Sequence, residues 1–490
     1  MVQALHDIQW IWNWLMENLV YINLIFSVVI IFFQRRDPKS VWGWLLLLYF
    51  VPIFGFVFYI MFGQNYHKSK MFRIKEIEDE INYTIHRQEE SILRREFEER
   101  KPFVKRYADV VLYNLESTGA VFTDDNDVTI YTDGNRKFDA LIEDLKAAEH
   151  YIHIQYYIIR DDELFGRIKE VLAERAAHGV EVRVLYDAMG CRNTRHRLWK
   201  GLRADGIQTA EFFPALFGRL QLRLNYRNHR KIVVIDGKVG YVGGFNVGRE
   251  YLGKDKKIGY WRDTHLRITG SAVIHLQLRF ILDWNYAAKE DLLKKKQYFE
   301  VPEDAVKGKT GIQIVSSGPD STYKNTRNNY LKLINRSRDS IYIQTPYFIP
   351  DESIFDALRI AALSGVDVKI MIPCKPDHPF VYWATYSYVG DMIAAGAKCY
   401  TYDNGFLHAK GLISDGKALS YGTANMDIRS FELNFEVNAT IYDEDTAAKM
   451  QKVFMEDLTD CTEITAYLYE QRSLFVRIRE QVCRLFSPVL

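Results

Sequence analysis

Charge of one sign is what this 490-residue sequence lacks: 64 Lys and Arg stand against 63 Asp and Glu. That balance excludes the broad basic field by which nucleic-acid-binding proteins collect phosphate backbones. Cysteine is scarce and scattered. Cys191, Cys374, Cys399, Cys461 and Cys483 are odd in number and form no C-x-x-C pair, which argues against a disulfide framework or a cysteine-built zinc site. No Lys or Arg precedes Gln34, so the basic start of a secretory signal peptide is missing. A hydrophobic content of 48% with 26% charged residues excludes wholesale disorder.

One long stretch lacks charge altogether. Residues 40–63, SVWGWLLLLYFVPIFGFVFYIMFG, would reach about 36 Å as a helix, against a hydrocarbon layer of about 30 Å. Residues 11–33 are also apolar, with Glu17 near their start, and Trp10, Trp12 and Trp14 resemble a headgroup-level aromatic belt. The polar turn QRRDPK lies between the two segments. Residues 1–63 are therefore expected to form a two-span membrane hairpin, with Pro52 and Gly55 leaving open a second segment that dips in and returns. Arg35, Arg36 and Lys39 favour the loop inside, whereas Lys68, Lys70, Arg73 and Lys75 favour the remainder inside. Two spans would make the protein integral and multi-pass, and the cysteine pattern tilts the expectation to a catalytic part in the cytoplasm. Residues 64–118 read as a charged, solvated helical connector.

Beyond that connector, β-rich runs alternate with amphipathic helices, and the pattern is written twice. YIHIQYYII, a helix and VEVRVLYD return later as SIYIQTPYFI, a helix and VDVKIMI. The fold expected is α/β: two pseudo-symmetric halves, residues 119–300 and 301–490, each a mixed sheet flanked by helices. The closest internal match is H-x-K-x4-D-x6-G-x-x-N, found without a gap in both halves. It comprises His229, Lys231, Asp236, Gly243 and Asn246 in the first, and His408, Lys410, Asp415, Gly422 and Asn425 in the second.

In H-x-K the imidazole and ammonium point to one side of a strand, because side chains alternate. Two such pairs with two Asn amides suit an anionic tetrahedral group, above all a phosphodiester. No carboxylate cluster accompanies them to make a metal cage. Two histidines permit a two-step displacement: one, neutral, attacks phosphorus, and the other, protonated, donates its proton to the leaving alkoxide and later acts as base toward the incoming hydroxyl. Each needs a carboxylate to fix its tautomer. Asp263, downstream of His229, and Glu436, downstream of His408, are the candidates. Asp236 and Asp415 are further catalytic candidates, although the Asp-Gly step after each also forms turns.

The duplicated motif resembles the mark of the phospholipase D superfamily. Within it, the hydrophobic hairpin with QRRDP and PIFGFVFYIMFGQN, the segments NHRKIVVIDG and GGFN, and the segments HAKGLISDG and GTAN are similar to bacterial cardiolipin synthases. The resemblance covers nearly the whole chain. It implies two phosphatidylglycerol molecules becoming cardiolipin and glycerol, without metal, nucleotide or other cofactor. It also implies His229 and His408 as nucleophile and acid/base, the former favoured as nucleophile, with Lys231, Asn246, Lys410 and Asn425 on the phosphate. One departure is Gly244, where a serine is frequent in the superfamily; the second copy has Thr423.

A lipid substrate fits two further segments. EFFPALFGRLQLRLNYR interleaves Phe217 and leucines with Arg219, Arg223 and Arg227, a strip suited to an anionic membrane surface. The tail SLFVRIREQVCRLFSPVL has the spacing of a basic amphipathic helix, either docked or lying on a membrane. The alternatives are a phosphodiesterase passing the same intermediate to water, on phospholipid or nucleic acid, and an inactive membrane scaffold. Intact motifs oppose the scaffold and the neutral charge balance opposes a nuclease.

Overall fold

The computed structural model describes residues 2–33, 38–62, 88–92, 102–214, 226–255, 257–300, 302, 305, 308–375 and 377–487. Helices α1–α3 belong to one compact unit; the strands belong to another.

α1 (Val2–Val28) runs into a π-helical turn at Val29–Phe33. The residues expected as one second span form two helices, α2 (Pro38–Phe50) and α3 (Pro52–Phe62). A proline offers no N–H to the carbonyl four residues back, which here is Leu48. Asn23 of α1 supplies the missing donor: its Nδ2 lies 3.1 Å from Leu48 O and 3.2 Å from Pro52 O. α3 then turns back toward α2, so closely that a Cβ on Gly55 would stand 2.6 Å from the Leu47 carbonyl oxygen. Among the described residues no helix is long and apolar enough to cross a membrane. Residues 40–63 thus take the dipping form left open by Pro52 and Gly55, a helix, a break and a returning helix, and neither expected full span is found among the described residues.

The first half of the larger unit contains β1 (Thr123–Tyr131), β2 (Tyr151–Tyr156), β3 (Glu181–Asp187), β4 (Gln208–Phe212), β5 (Arg227–Asn228), β6 (Ile232–Ile235), β7 (Val239–Gly243), β8 (Trp261–Arg262) and β9 (His265–Thr269). The second half follows with β10 (Thr310–Ser317), β11 (Ser340–Gln344), β12 (Phe348–Ile349), β13 (Asp367–Pro373), β14 (Lys398–Tyr402), β15 (Phe406–Leu407), β16 (Gly411–Ser414), β17 (Ala418–Gly422), β18 (Met426–Asp427), β19 (Asn434–Tyr442) and β20 (Cys461–Glu463).

One mixed sheet crosses both halves in the order β4-β3-β2-β6-β7-β9-β1-β10-β19-β17-β16-β11-β13-β14-β20. Outward from the antiparallel β1–β10 seam, the two series match strand for strand as far as β4 and β14, which is the pseudo-symmetry the repeat predicts, and β20 is an extra edge strand on the second half. β2 is buried along its whole length, as a strand covered by helices on both faces must be. The crossover helices start at aspartate caps: Asp162 accepts from Leu164 and Phe165 N–H, and Asp351 from Ile354 N–H.

The described part of the expected connector is not solvated. Helix Ala108–Thr118 and the turn before it bury Val104, Tyr107, Val110, Val111 and Leu115 in a core shared with Leu333, Ile341 and Ile370 of the second half. Asn114 donates to Gln313 and Asn329 within that core. The preceding charge-dense residues 63–87 and 93–101 lie outside the described residues.

Candidate active site

The two motif histidines are held by exchange between the halves. β5 pairs in parallel with β19, matching Arg227 to Asn434 and Asn228 to Phe435. β8 pairs in parallel with β15, matching Trp261 to Phe406 and Arg262 to Leu407. One residue further along each pair, His229 meets Glu436 and His408 meets Asp263. His229 Nδ1 lies 3.0 Å from each Glu436 carboxylate oxygen, and His408 Nδ1 lies 2.6 Å from Asp263 Oδ2. The backbone repeats the exchange: His229 N–H donates to Phe435 O at 3.0 Å, and His408 N–H to Arg262 O at 2.7 Å. The expectation that each carboxylate serves the histidine of its own half is therefore corrected; both serve the opposite half. With Nδ1 committed, Nε2 is the ring nitrogen with no partner among the described residues.

Lys231 and Lys410 are buried beside the rings. Lys231 Nζ donates to His229 O at 2.7 Å. Lys410 Nζ donates to His408 O, lies 2.7 Å from His408 Nδ1 and stands 3.9 Å from Asp263 Oδ2. Nδ1 cannot donate to Asp263 and accept from Lys410 at once, so the Lys410–Nδ1 approach is close packing. Tyr157 meets the His229 ring edge-on at 5.0 Å between centroids, and Trp261 lies 5.0 Å from the His408 ring.

Burial lowers His229 below the ordinary imidazole value; Lys231 acts the same way and Glu436 opposes. Burial and then Lys410 bring His408 down to about 4. The sequence suggested opposite protonation states near neutrality; burial instead moves both rings toward the neutral form. Burial also lowers Lys231 to about 7 and Lys410 to about 8. For Asp263, burial pushes upward but Lys410 and His408 outweigh it, so the carboxylate stays ionised. Glu436 is held low in the same way, by His229 and Lys231. A phosphodiester entering such a site would restore positive charge to its neighbours, because an anion favours their protonated forms.

Asp236 and Asp415 do not join the site. Each follows the four-residue strand that the motif lysine precedes, so about 17 Å of extended chain separates them from the lysines. Asp236 accepts from the N–H groups of Glu149, His150 and Tyr151; Asp415 accepts from those of Arg338, Asp339 and Ser340 and pairs with Arg106. Both carry φ of 53°, the left-handed turn conformation that aspartate tolerates. They fasten the β6–β7 and β16–β17 hairpins to the starts of β2 and β11.

The asparagines are also engaged. Asn246 Oδ1 accepts from Ile158 N–H at 3.1 Å and its amide donates to Tyr251 Oη at 3.2 Å, which braces the side chain. Asn425 Nδ2 lies 3.4 Å from Asp427 Oδ2, while its buried Oδ1 has no hydrogen-bond partner among the described residues. Arg227 is half-buried at the start of β5, bonded to Tyr157 and facing the charge of Asp187, so it is an inner cation rather than a lipid-facing one. Phe217, Arg219 and Arg223 lie outside the described residues.

Sequence reasoning missed two buried ion pairs behind the carboxylates. Arg230 Nη1 lies 2.6 Å from Asp283 Oδ1, and its Nε donates to Glu436 O at 3.2 Å. Arg262 grips Asp457 at 2.8 and 2.6 Å and donates to Asp263 O through Nη1. Each arginine thus fixes the backbone of one histidine-orienting residue. Arg262 adjoins Asp263 in the chain and Arg230 sits within H-x-K, but nothing in the sequence marks either as buried.

Crossed histidine–carboxylate pairs with a lysine beside each ring, set on a duplicated α/β sheet, define a phospholipase D-type site for phosphodiester chemistry. The chain belongs to the cardiolipin synthase family of these proteins. Residues 141–265 and 330–458 match the family described as "Cardiolipin synthase, PLD-like domain", and residues 22–64 match "Phospholipase_D-nuclease N-terminal". A cardiolipin synthase of Oceanobacillus iheyensis is 50% identical over 96% of this chain and 97% of its own length. One of Listeria monocytogenes is 48% identical over 97% of this chain and 99% of its own. The crystal structure of phosphatidylserine synthase from Haemophilus influenzae shares the fold, with a TM-score of 0.60 and 13% identity over 78% of this chain and all of that one.

Proposed function

We propose that the chain is a phosphatidyltransferase that condenses two phosphatidylglycerol molecules into cardiolipin and glycerol. The observation that carries this reading is the crossed pairing: each carboxylate holds Nδ1 of the opposite half's ring, and each half's lysine acts electrostatically on the other half's histidine, which supports one shared phosphodiester site for the two Nε2 atoms. Nε2 of neutral His229 attacks the phosphorus of one phosphatidylglycerol. The P–O bond to glycerol breaks, and His408, protonated once the anion is bound, gives its Nε2 proton to the leaving alkoxide. Neutral His408 then takes the proton of a glycerol hydroxyl on the second lipid. That oxygen attacks phosphorus, the P–N bond breaks, and His229 is regenerated with cardiolipin as product. Lys231 and Lys410, with the Asn425 amide, balance the phosphoryl charge.

The anchor proposed is α1–α3, inserted in a bacterial cell membrane with α2–α3 re-entering, and the catalytic unit on the cytoplasmic side. Support comes from its large exposed apolar side chains, among them Val20, Leu24, Phe32, Trp42, Tyr49 and Phe50. The experiment is to give the purified chain head-group-labelled phosphatidylglycerol in bilayers. Free glycerol with a four-chain lipid supports transfer; phosphatidic acid as the main product overturns it in favour of hydrolysis.

A further inference from the structure

Helix Leu474–Leu485 is docked inside out. Its cap is Ser473, which accepts from Val476 N–H at 3.4 Å. The face turned to the protein is mostly polar: Glu480 is buried with Arg472 Nε 3.0 Å from its Oε1, and Arg484 Nη1 lies 2.8 Å from Asp391 Oδ2, while Cys483 alone packs into a small apolar cluster with Ile349 and Ala384. Arg479 lies over the Trp383 ring at 5.1 Å. The opposite face is apolar and unpartnered. Leu474 is 73% exposed, Ile478 54% and Leu485 80%, with Phe475, Val482 and Phe486 beside them. The positions 474, 478, 482 and 485 recur at helical spacing, so they form one stripe. Tyr467 and Leu468, on the short helix Ala466–Glu470 just before, extend the exposed apolar surface.

An amphipathic helix packed on a soluble body turns its apolar stripe inward; this one does the reverse, and its exposed Arg477 and Arg479 make the surroundings cationic. We infer that residues 474–486 form a membrane-lying surface, and that its occupant is a lipid bilayer carrying anionic head groups. Apolar side chains flanked by arginine suit the acyl–head-group boundary. A second copy of this chain fits less well, because like-charged arginines would oppose each other across a self-contact. The surface is also tied to the active site. The helix docks on Pro379–Ala394, which begins just past Asp377; Asp377 accepts from the Tyr347 hydroxyl, and its charge acts on Lys410. A bilayer against residues 474–486 therefore holds the rim of the site at the lipid surface. The inference rests on the proposed phosphatidyl transfer, since a substrate embedded in the membrane is what makes such docking useful.

The test uses the full chain and a triple variant, Ile478→Glu, Val482→Glu and Leu485→Glu, all at exposed positions. Two substrates are compared: phosphatidylglycerol in vesicles diluted with phosphatidylcholine, and short-chain phosphatidylglycerol dispersed as monomers. The variant is expected to lose about tenfold or more of its turnover on vesicles while staying within about twofold on monomers. Hydrogen exchange over residues 474–486 of the wild type should slow on vesicles. Equal turnover of variant and wild type on vesicles would overturn the inference, as would an equal loss on both substrates. A detergent-solubilised oligomer that the variant dissolves would also overturn it, by identifying a second copy as the occupant. If the wild type makes no four-chain lipid from either substrate, the transfer reading fails, and exchange protection on vesicles still decides the surface.

Discussion

His229 and Glu436 come from opposite halves of the chain, yet His229 Nδ1 lies 3.0 Å from both oxygens of the Glu436 carboxylate. The contact fixes the tautomer of one half's imidazole with the other half's anion, and His408 and Asp263 repeat it in the opposite sense. Replacing either carboxylate by its amide keeps the shape and removes the anion that stabilises an imidazolium. Glu436→Gln and Asp263→Asn are each expected to lower kcat by roughly 10³-fold or more, read as initial rates of glycerol release. Circular dichroism should show both variants folded.

His229→Ala and His408→Ala should each abolish turnover, and the double variant should be no worse than either single one, since the two act as one unit. Mass spectrometry of acid-sensitive adducts on the wild type should place the phosphatidyl group on His229. An adduct on His408 instead would reverse the two roles.

Gly244 stands where an added Cβ would lie 1.9 Å from Asp263 Oδ1, and that oxygen is itself held by Thr264 N–H at 2.8 Å. Gly244→Ser should push Asp263 off His408 and cost about 10²-fold in kcat, with a smaller change in KM. In the second half Thr423 occupies the matching place, its Oγ1 accepting from Val437 N–H at 2.9 Å, so Thr423→Gly should be milder.

The pH profile follows from the buried lysines. Lys231 near 7 and Lys410 near 8 lose their protons as pH rises, so kcat/KM should begin to fall above about pH 7 and steepen above about pH 8. His408, lowered to about 4, is neutral in the free enzyme and must gain a proton to serve as acid, so kcat/KM should rise as pH falls toward about 5. Lys410→Arg, always protonated, should leave Lys231 alone to shape the alkaline limb and make it shallower in any activity the variant retains.

Asp236→Asn and Asp415→Asn test the hairpin role of these turns. Each removes a charged acceptor shared by three backbone N–H groups, for an expected loss of about 1–3 kcal/mol in unfolding free energy. Denaturant midpoints should fall while kcat stays within a few-fold; a collapse of kcat without loss of stability would return these residues to the chemistry.

The repeat was legible in the sequence because His, Lys, Asp, Gly and Asn stand at fixed offsets, and fixed offsets within a hairpin are fixed geometry. The mixed sheet was legible for the same reason. Pairing across the halves was not. Proximity along the chain suggested Asp263 for His229, whereas the register of β5 on β19 and of β8 on β15 is a long-range contact that no local spacing encodes. Hydrophobicity showed that residues 40–63 are apolar but not that Asn23 would cap the carbonyl freed by Pro52. Charge density suggested a solvated connector, and the apolar positions of Ala108–Thr118 proved to be part of the second half's core.

Because each imidazole borrows its anion from across the β1–β10 seam, neither half carries a complete catalytic set. Severed from its twin, each would keep a histidine without the counter-ion that aims it. The duplication therefore yields not two weak enzymes side by side but one indivisible machine, disarmed at both centres by anything that parts the seam.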